Sequence, residues 1–204
     1  MNSTTTYRCQ YTFPEFPNTD NSIREEWPTY KTIKAFTPEE CQRVIDTCKT
    51  FPVKDSTIQS DAGQVYTSTK RKGAIRWIHN VEETRWIFDK VGFLMSSLNM
   101  KNWHFNITGF DALQFTEYGP GDWFDWHRDM GAKDTMHRKL TASIALNDPG
   151  EYKGGGLQVY PGTPLSKSQG DMSVFSAFDF HRAVEVTEGR RYALVCWALG
   201  PVFA

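Results

Sequence analysis

The chain has 204 residues, about the length of one domain, with 39% hydrophobic, 23% charged and 14% aromatic residues, a composition that excludes a fibrous or disordered chain. Lys and Arg number 23 against 24 Asp and Glu, and a net charge of −1 argues against binding nucleic acid through bulk charge. No apolar run nears the ~18 residues of a membrane span, and the first residues lack the apolar core of a signal peptide, so the chain reads as soluble and cytoplasmic with no membrane partner.

The first 30 residues are rich in proline and aromatics, among them Tyr7, Phe13, Phe16 and Trp27, which reads as an extended arm packed on the domain. Thr37-Pro38-Glu39-Glu40 combines three helix-start signals: a capping hydroxyl, a proline suited to the first turn and a glutamate that closes a capping box. Val44, Ile45 and Cys48 give that helix an apolar stripe, and it should end before Pro52. Residues 54–73 are polar and contain Gly63 and Gly73, so they read as a long loop, placed as a lid would be. The basic cluster Lys70-Arg71-Lys72 reads as part of its solvated face. Ala74 to Ile78 reads as a short strand, and Asn80-Val81-Glu82-Glu83 as a second helix cap. Trp86, Ile87, Val91, Leu94, Met95 and Leu98 then repeat at helical spacing and form a core stripe rather than a cofactor box.

From residue 103 the texture changes. Short apolar runs at 105–117, 123–128, 140–146, 156–160, 172–176, 181–187 and 191–199 alternate with Gly, Pro and Asp turns. Several strands without intervening helices imply a sandwich or barrel rather than a doubly wound sheet. The expectation is a single α+β domain over 1–204. Residues 1–100 supply the arm and supporting helices, packed against one sheet. Residues 103–204 supply a double-stranded β-helix, or jelly roll. Cys9, Cys41, Cys48 and Cys196 form no C-x-x-C pair and read as free thiols of a reducing compartment.

Of five histidines, His127 is the informative one. On a strand, His127 and Asp129 face the same way and offer an imidazole and a carboxylate to one point. His181, 52 residues after Asp129 and near a strand start, could supply a second imidazole. Two His and one carboxylate leave three open positions on a metal, which suits an Fe(II) that must bind a co-substrate and O2. Arg191 lies ten residues after His181 on the last strand, where it could clamp a carboxylate in two parallel bonds. Arg190 points to the opposite face, and Trp197 shares the face of Arg191 by parity.

The stretch from Leu113 to Leu199 resembles the Fe(II)/2-oxoglutarate-dependent dioxygenases, most of all their prolyl 4-hydroxylase branch. The resemblance is carried by Gln114, Tyr118 and Gly121, then His127 and Asp129, the Leu146-Asn147 pair, Gly154 to Gly156, and His181, Gly189, Arg191 and Trp197. It implies iron ligands at His127, Asp129 and His181. It implies Arg191 on the distal carboxylate of 2-oxoglutarate, with Tyr118, Thr141 and Trp197 as further co-substrate contacts. The implied cofactors are Fe(II), 2-oxoglutarate and O2, with ascorbate a candidate stimulant. The implied activity is hydroxylation of an unactivated C–H bond, first of all on a prolyl residue of a peptide or protein. Phe124 departs from the family by standing where many relatives have Tyr, and Trp123 and Trp126 make the mouth aromatic.

Alternatives remain. A free amino acid or other small molecule could be the substrate, its charges met by Asp125, Arg128 or Arg76. A non-oxygenase cupin-like metal protein would lean on an H-x-H start that is lacking here. A nucleic-acid demethylase would carry a second Arg six residues after the clamp, where Trp197 stands. Gly154 to Gly156 read as a hairpin that admits close backbone approach; no lysine follows it to cradle a phosphate. The loop from Met130 to Lys139 is a second candidate rim.

Overall fold

The computed structural model describes residues 28–55, 57–59, 65–67 and 70–202, so nearly all of the expected N-terminal arm lies outside the described residues. The elements in chain order are β1 (Tyr30–Lys34), α1 (Pro38–Lys49), β2 (Lys54–Asp55), β3 (Thr57–Gln59), β4 (Val65–Thr67), β5 (Arg71–Lys72), β6 (Ala74–Ile78) and α2 (Arg85–Asn102). There follow β7 (Gly109–Phe110), β8 (Leu113–Tyr118), β9 (Trp123–His127), β10 (Arg138–Ala145), β11 (Tyr152–Gly154) and β12 (Leu157–Val159). The last are β13 (Thr163–Pro164), β14 (Asp171–Ser176), β15 (His181–Ala183), β16 (Val186–Gly189) and β17 (Arg191–Leu199).

All described strand pairs are antiparallel. One sheet runs β1-β14-β10-β17-β8-β6-β2, with β7 also paired to β17; a second runs β13-β12-β15-β9-β5. Two ribbons, β11-β16 and β3-β4, stand apart from both.

The large sheet is buried on both faces because its two faces carry different residues. Leu113 and Phe115 of β8, Leu140, Ala142 and Ile144 of β10, and Leu194, Cys196 and Ala198 of β17 enter the main apolar core. The alternate residues, Gln114, Thr116, Thr141, Ser143, Arg191, Ala193, Val195 and Trp197, face a cavity. This is the period-two geometry of a strand put to two uses. The core side is covered by the helices. Cys41, Val44, Ile45 and Cys48 of α1, and Ile87, Val91 and Met95 of α2, join the same cluster at helical spacing. The helices therefore pack on one sheet, as expected. None of the described helices is long and apolar enough to cross a membrane.

The capping box of α1 forms as expected: Glu40 N–H donates to Thr37 Oγ1, and Thr37 N–H donates to a Glu40 carboxylate oxygen at 2.9 Å. The second helix begins later than Asn80 implies. Thr84 Oγ1 donates to the His79 carbonyl at 2.6 Å and accepts from Val81 N–H at 3.0 Å, folding 79–84 into a turn. Residues 54–73 are not simply a loop, because four short strands lie within them. Thr57, Ile58, Val65, Tyr66 and Thr67 are strand-forming types, and that signal outweighs the polar neighbours. The 105–117 run is strand only from Gly109, and 181–187 divides into two strands of different sheets. Gly154 to Gly156 is a crossover rather than a hairpin, since β11 pairs β16 while β12 pairs β13 and β15. Its close approach is real: a Cβ on Gly154, at φ +72°, would lie 2.1 Å from the Glu185 carbonyl oxygen.

Candidate functional site

The cavity holds about 600 Å³ and is lined from both large sheets. His127 closes β9, His181 opens β15, and the two face each other as direct partners across that antiparallel pair. Asp129 lies two residues past the end of β9, so strand parity does not aim it. Its backbone N–H donates to the Ala177 carbonyl at 2.9 Å, and Met130 N–H to the same oxygen at 2.8 Å, which fixes the bend.

One donor atom from each of His127, Asp129 and His181 lies within 4.8 Å of the others. Asp129 Oδ1 is 3.6 Å from His127 Nε2, and Oδ2 is 3.3 Å from His181 Nε2. Nδ1 of His127 is 2.7 Å from the Asp125 carbonyl oxygen, and Nδ1 of His181 is 3.0 Å from that of Asp179. A carbonyl only accepts, so each Nδ1 carries a hydrogen and each ring turns its Nε2, bare whenever the ring is neutral, toward Asp129. Two lone pairs and a carboxylate at this range repel unless a cation or a proton sits between them. The donor set therefore fits a metal ion, with backbone carbonyls orienting the rings.

In the absence of a cation, the electrostatics put a proton in its place, on His181. Burial and the neighbouring His181 push the His127 imidazole down to about 4. Burial works against charge on His181 as well, but attraction to Asp129 and a hydrogen bond to it outweigh this and raise its pKa. Burial also opposes the Asp129 carboxylate, yet the two histidines hold it far below its ordinary value. Thr141 Oγ1 donates to Asp129 Oδ2 at 2.7 Å. The Phe124 ring stacks on His127 with centroids 3.5 Å apart, and Phe175 lies 4.7 Å from His181.

Arg191 is 5% exposed, and no carboxylate of the described residues forms an ion pair with it. Its guanidinium lies 5.6 Å from the ring centre of Tyr118, its partner in the sheet, and its charge acts on the buried Tyr152, whose phenol burial pushes up. Arg190 turns the other way and pairs with Glu117 at 2.6 Å in solvent. Trp197 lines the cavity beneath Arg138, whose guanidinium is 3.7 Å from its ring centre. Trp126 lines the cavity too; Trp123 is not among its described lining residues. Thr135 of the 130–139 loop joins the rim.

The structure thus brings His127, Asp129, His181, Arg191, Tyr118, Thr141 and Trp197 to one cavity. Sequence reasoning missed Arg71, Arg138 and Tyr152. Arg71, read there as a solvated residue, lines the cavity because β5 pairs with β9 and sets Arg71 opposite Phe124. The lid expected over 54–73 falls partly outside the described residues.

Residues 113–199 match the model of the 2OG-Fe(II) oxygenase superfamily. A PKHD-type hydroxylase of Rhizorhabdus wittichii is 36% identical over 92 residues, covering 41% of this chain and 40% of that protein. One of Psychrobacter sp. is 30% identical over 92 residues, covering 41% and 36%. The matched segments thus span about two fifths of the length of these curated relatives. A Pseudomonas putida prolyl-4-hydroxylase structure superposes with a TM-score of 0.63 at 19% identity, covering 85% of this chain and 93% of that one. A Trichoplax adhaerens prolyl hydroxylase, solved with a hypoxia inducible factor peptide fragment, gives 0.68 at 20% identity, covering 84% and 83%. At such identity the two share the fold. The family resemblance read from 113–199 is borne out.

Proposed function

We propose that this chain, one domain over 1–204, is an Fe(II)- and 2-oxoglutarate-dependent dioxygenase. In this reading its two large sheets form a double-stranded β-helix, and it hydroxylates a prolyl residue of a peptide or protein. One observation carries it: two imidazole Nε2 atoms and a carboxylate converge in the same cavity as a buried arginine that has no acidic partner among the described residues. His127, Asp129 and His181 would hold the iron, which, with 2-oxoglutarate and O2, supplies the oxidising power to place oxygen on a C–H bond.

The chain's own part is placement. The Asp125 and Asp179 carbonyls fix both rings. Thr141 spends its hydroxyl on Asp129, so it acts as a positioning residue rather than a co-substrate contact. Arg191 would neutralise the distal carboxylate of 2-oxoglutarate, which otherwise carries a large desolvation cost in so buried a place. Tyr118 and Tyr152 flank that guanidinium, and Trp197 walls the same side. The prolyl substrate is supported by the prolyl hydroxylases among the superposed structures and by the peptide in the Trichoplax adhaerens complex.

The test is succinate release with Fe(II) and 2-oxoglutarate, together with mass spectrometry of proline-containing peptides. A gain of one oxygen on a prolyl ring is expected, and it should vanish in Asp129→Ala. Full activity in Asp129→Ala would overturn the assignment.

A further inference from the structure

The cavity is lopsided in charge. Lys70, Arg71, Arg128, Arg138 and Arg191 line it, and Asp129 is the single carboxylate among its described lining residues. Under the function proposed above, on which this inference rests, Asp129 is committed to the metal and Arg191 to the co-substrate. Arg138 pairs with Asp111 at 3.0 Å, and Arg128 lies over the Phe180 ring at 4.2 Å.

Arg71 differs from these. Its Nη1 reaches Gln114 Oε1 at 3.4 Å, a long and neutral contact, and its guanidinium sits 4.8 Å from the Phe124 ring centre. Its Nε and Nη2 are buried with no hydrogen-bond partner among the described residues. Those two N–H groups form one edge of the guanidinium, the side-on edge that meets both oxygens of a carboxylate in parallel bonds. Leaving such a pair of donors buried and unmet costs about 1–3 kcal/mol or more, so the edge calls for an acceptor. Phe124 stacks on the His127 imidazole and carries the Arg71 guanidinium at its ring, and Arg71 and His127 line the same cavity.

The same charge count bears on the rival substrate. A free amino acid brings an ammonium that needs an anion. Asp125 is exposed and outside the described lining, while Arg76 is turned to the Phe51 carbonyl and Glu117. We propose that Arg71 is a specificity-determining residue that takes a carboxylate of the substrate side-on, and that the substrate is an acidic, N-acylated peptide rather than a free amino acid. The carboxylate comes either from an Asp or Glu side chain near the reacting residue or from the peptide's C-terminus.

Binding to the protein loaded with Fe(II) and 2-oxoglutarate under anaerobic conditions, where nothing turns over, tests this. The probes are an acetylated and amidated peptide with a central proline flanked by glutamates, its glutamine counterpart, that counterpart with a free C-terminus, and free L-proline. One carboxylate-bearing peptide should bind at least about tenfold more tightly than the amidated glutamine peptide, as a charge-assisted pair warrants; which one it is names the source. The preference should fall below about threefold in Arg71→Gln, with uptake of Fe(II) and 2-oxoglutarate confirming an intact site. Should Arg71→Gln fail that check, Arg71→Lys decides, since it keeps the charge and loses the side-on edge. No preference in the wild type, a preference that survives both variants, or tightest binding of free L-proline would overturn the proposal. Failure of the function itself shows separately, as absence of Fe(II)-dependent 2-oxoglutarate binding in the wild type, and this inference then falls with it.

Discussion

Thr141 illustrates how much a single hydroxyl decides. It is the side-chain donor that holds Asp129 from the β10 side, at 2.7 Å. Thr141→Val keeps the shape and removes that bond, so Fe(II) affinity should drop about tenfold or more, as losses of ligand-orienting partners do. Competition against a chelator reads the loss, and far-UV circular dichroism should not change. Arg191→Ala should raise the KM for 2-oxoglutarate at least about tenfold, the worth of a charge-assisted bond. Arg190→Ala should leave it near the wild-type value, because an exposed pair such as Arg190–Glu117 is worth about 0–1 kcal/mol. Exchange of the two behaviours would mean the clamp is misassigned. At this scale the ligand residues and Arg191 are legible from spacing and family pattern. The aim of Asp129 is not, since it depends on the Ala177 carbonyl 48 residues away in sequence. Arg71 is illegible for a related reason: beside two lysines it looks solvated, and only its pairing opposite Phe124 turns it inward.

Local signals were the readable ones among the elements. The capping box at Thr37 and the stripe of α1 need only neighbours a few residues away, and both form. The start of α2 and the strands inside 54–73 depend on competition between local signals, and composition alone does not say which of them prevails. The crossover at Gly154 depends on which sheet each flanking strand joins, which no local signal carries. Gly154→Ala would force a side chain into the left-handed region and against the Glu185 carbonyl, 2.1 Å from the new Cβ. It should destabilise the protein by more than about 1 kcal/mol, seen as a lower urea midpoint at unchanged slope. Thr37→Ala should cost about 1 kcal/mol through the lost cap.

For the whole molecule, the helices and the large sheet share one core, and three of its members report on it. Burial pushes the Cys41 thiol to about 11 and Cys48 to about 12, and raises Cys196 as well. All three pKa values lie above pH 8, so at that pH the groups stay protonated as well as shielded. A thiol reagent should label none of these three in the native protein, and should label all three once the core opens in denaturant. The metal, in turn, would tie Asp129 to His181 across 52 residues of chain and join two strand ends. Fe(II) at 100 times its dissociation constant should add about 2.7 kcal/mol of stability, read as a higher melting temperature that Asp129→Ala abolishes.

The alternation along β8, β10 and β17 carries a consequence for how this protein can change over generations. Thr116, Ser143 and Val195 touch the cavity, while Phe115, Ile144 and Leu194 beside them touch only the core. Selection acting on one set leaves the other untouched, although both lie on the same strands. Drift in what the cavity accepts can proceed one alternate residue at a time without repacking the face that the helices cover. A lineage built on this sheet can alter its cavity while its helix-packed core stays as it is.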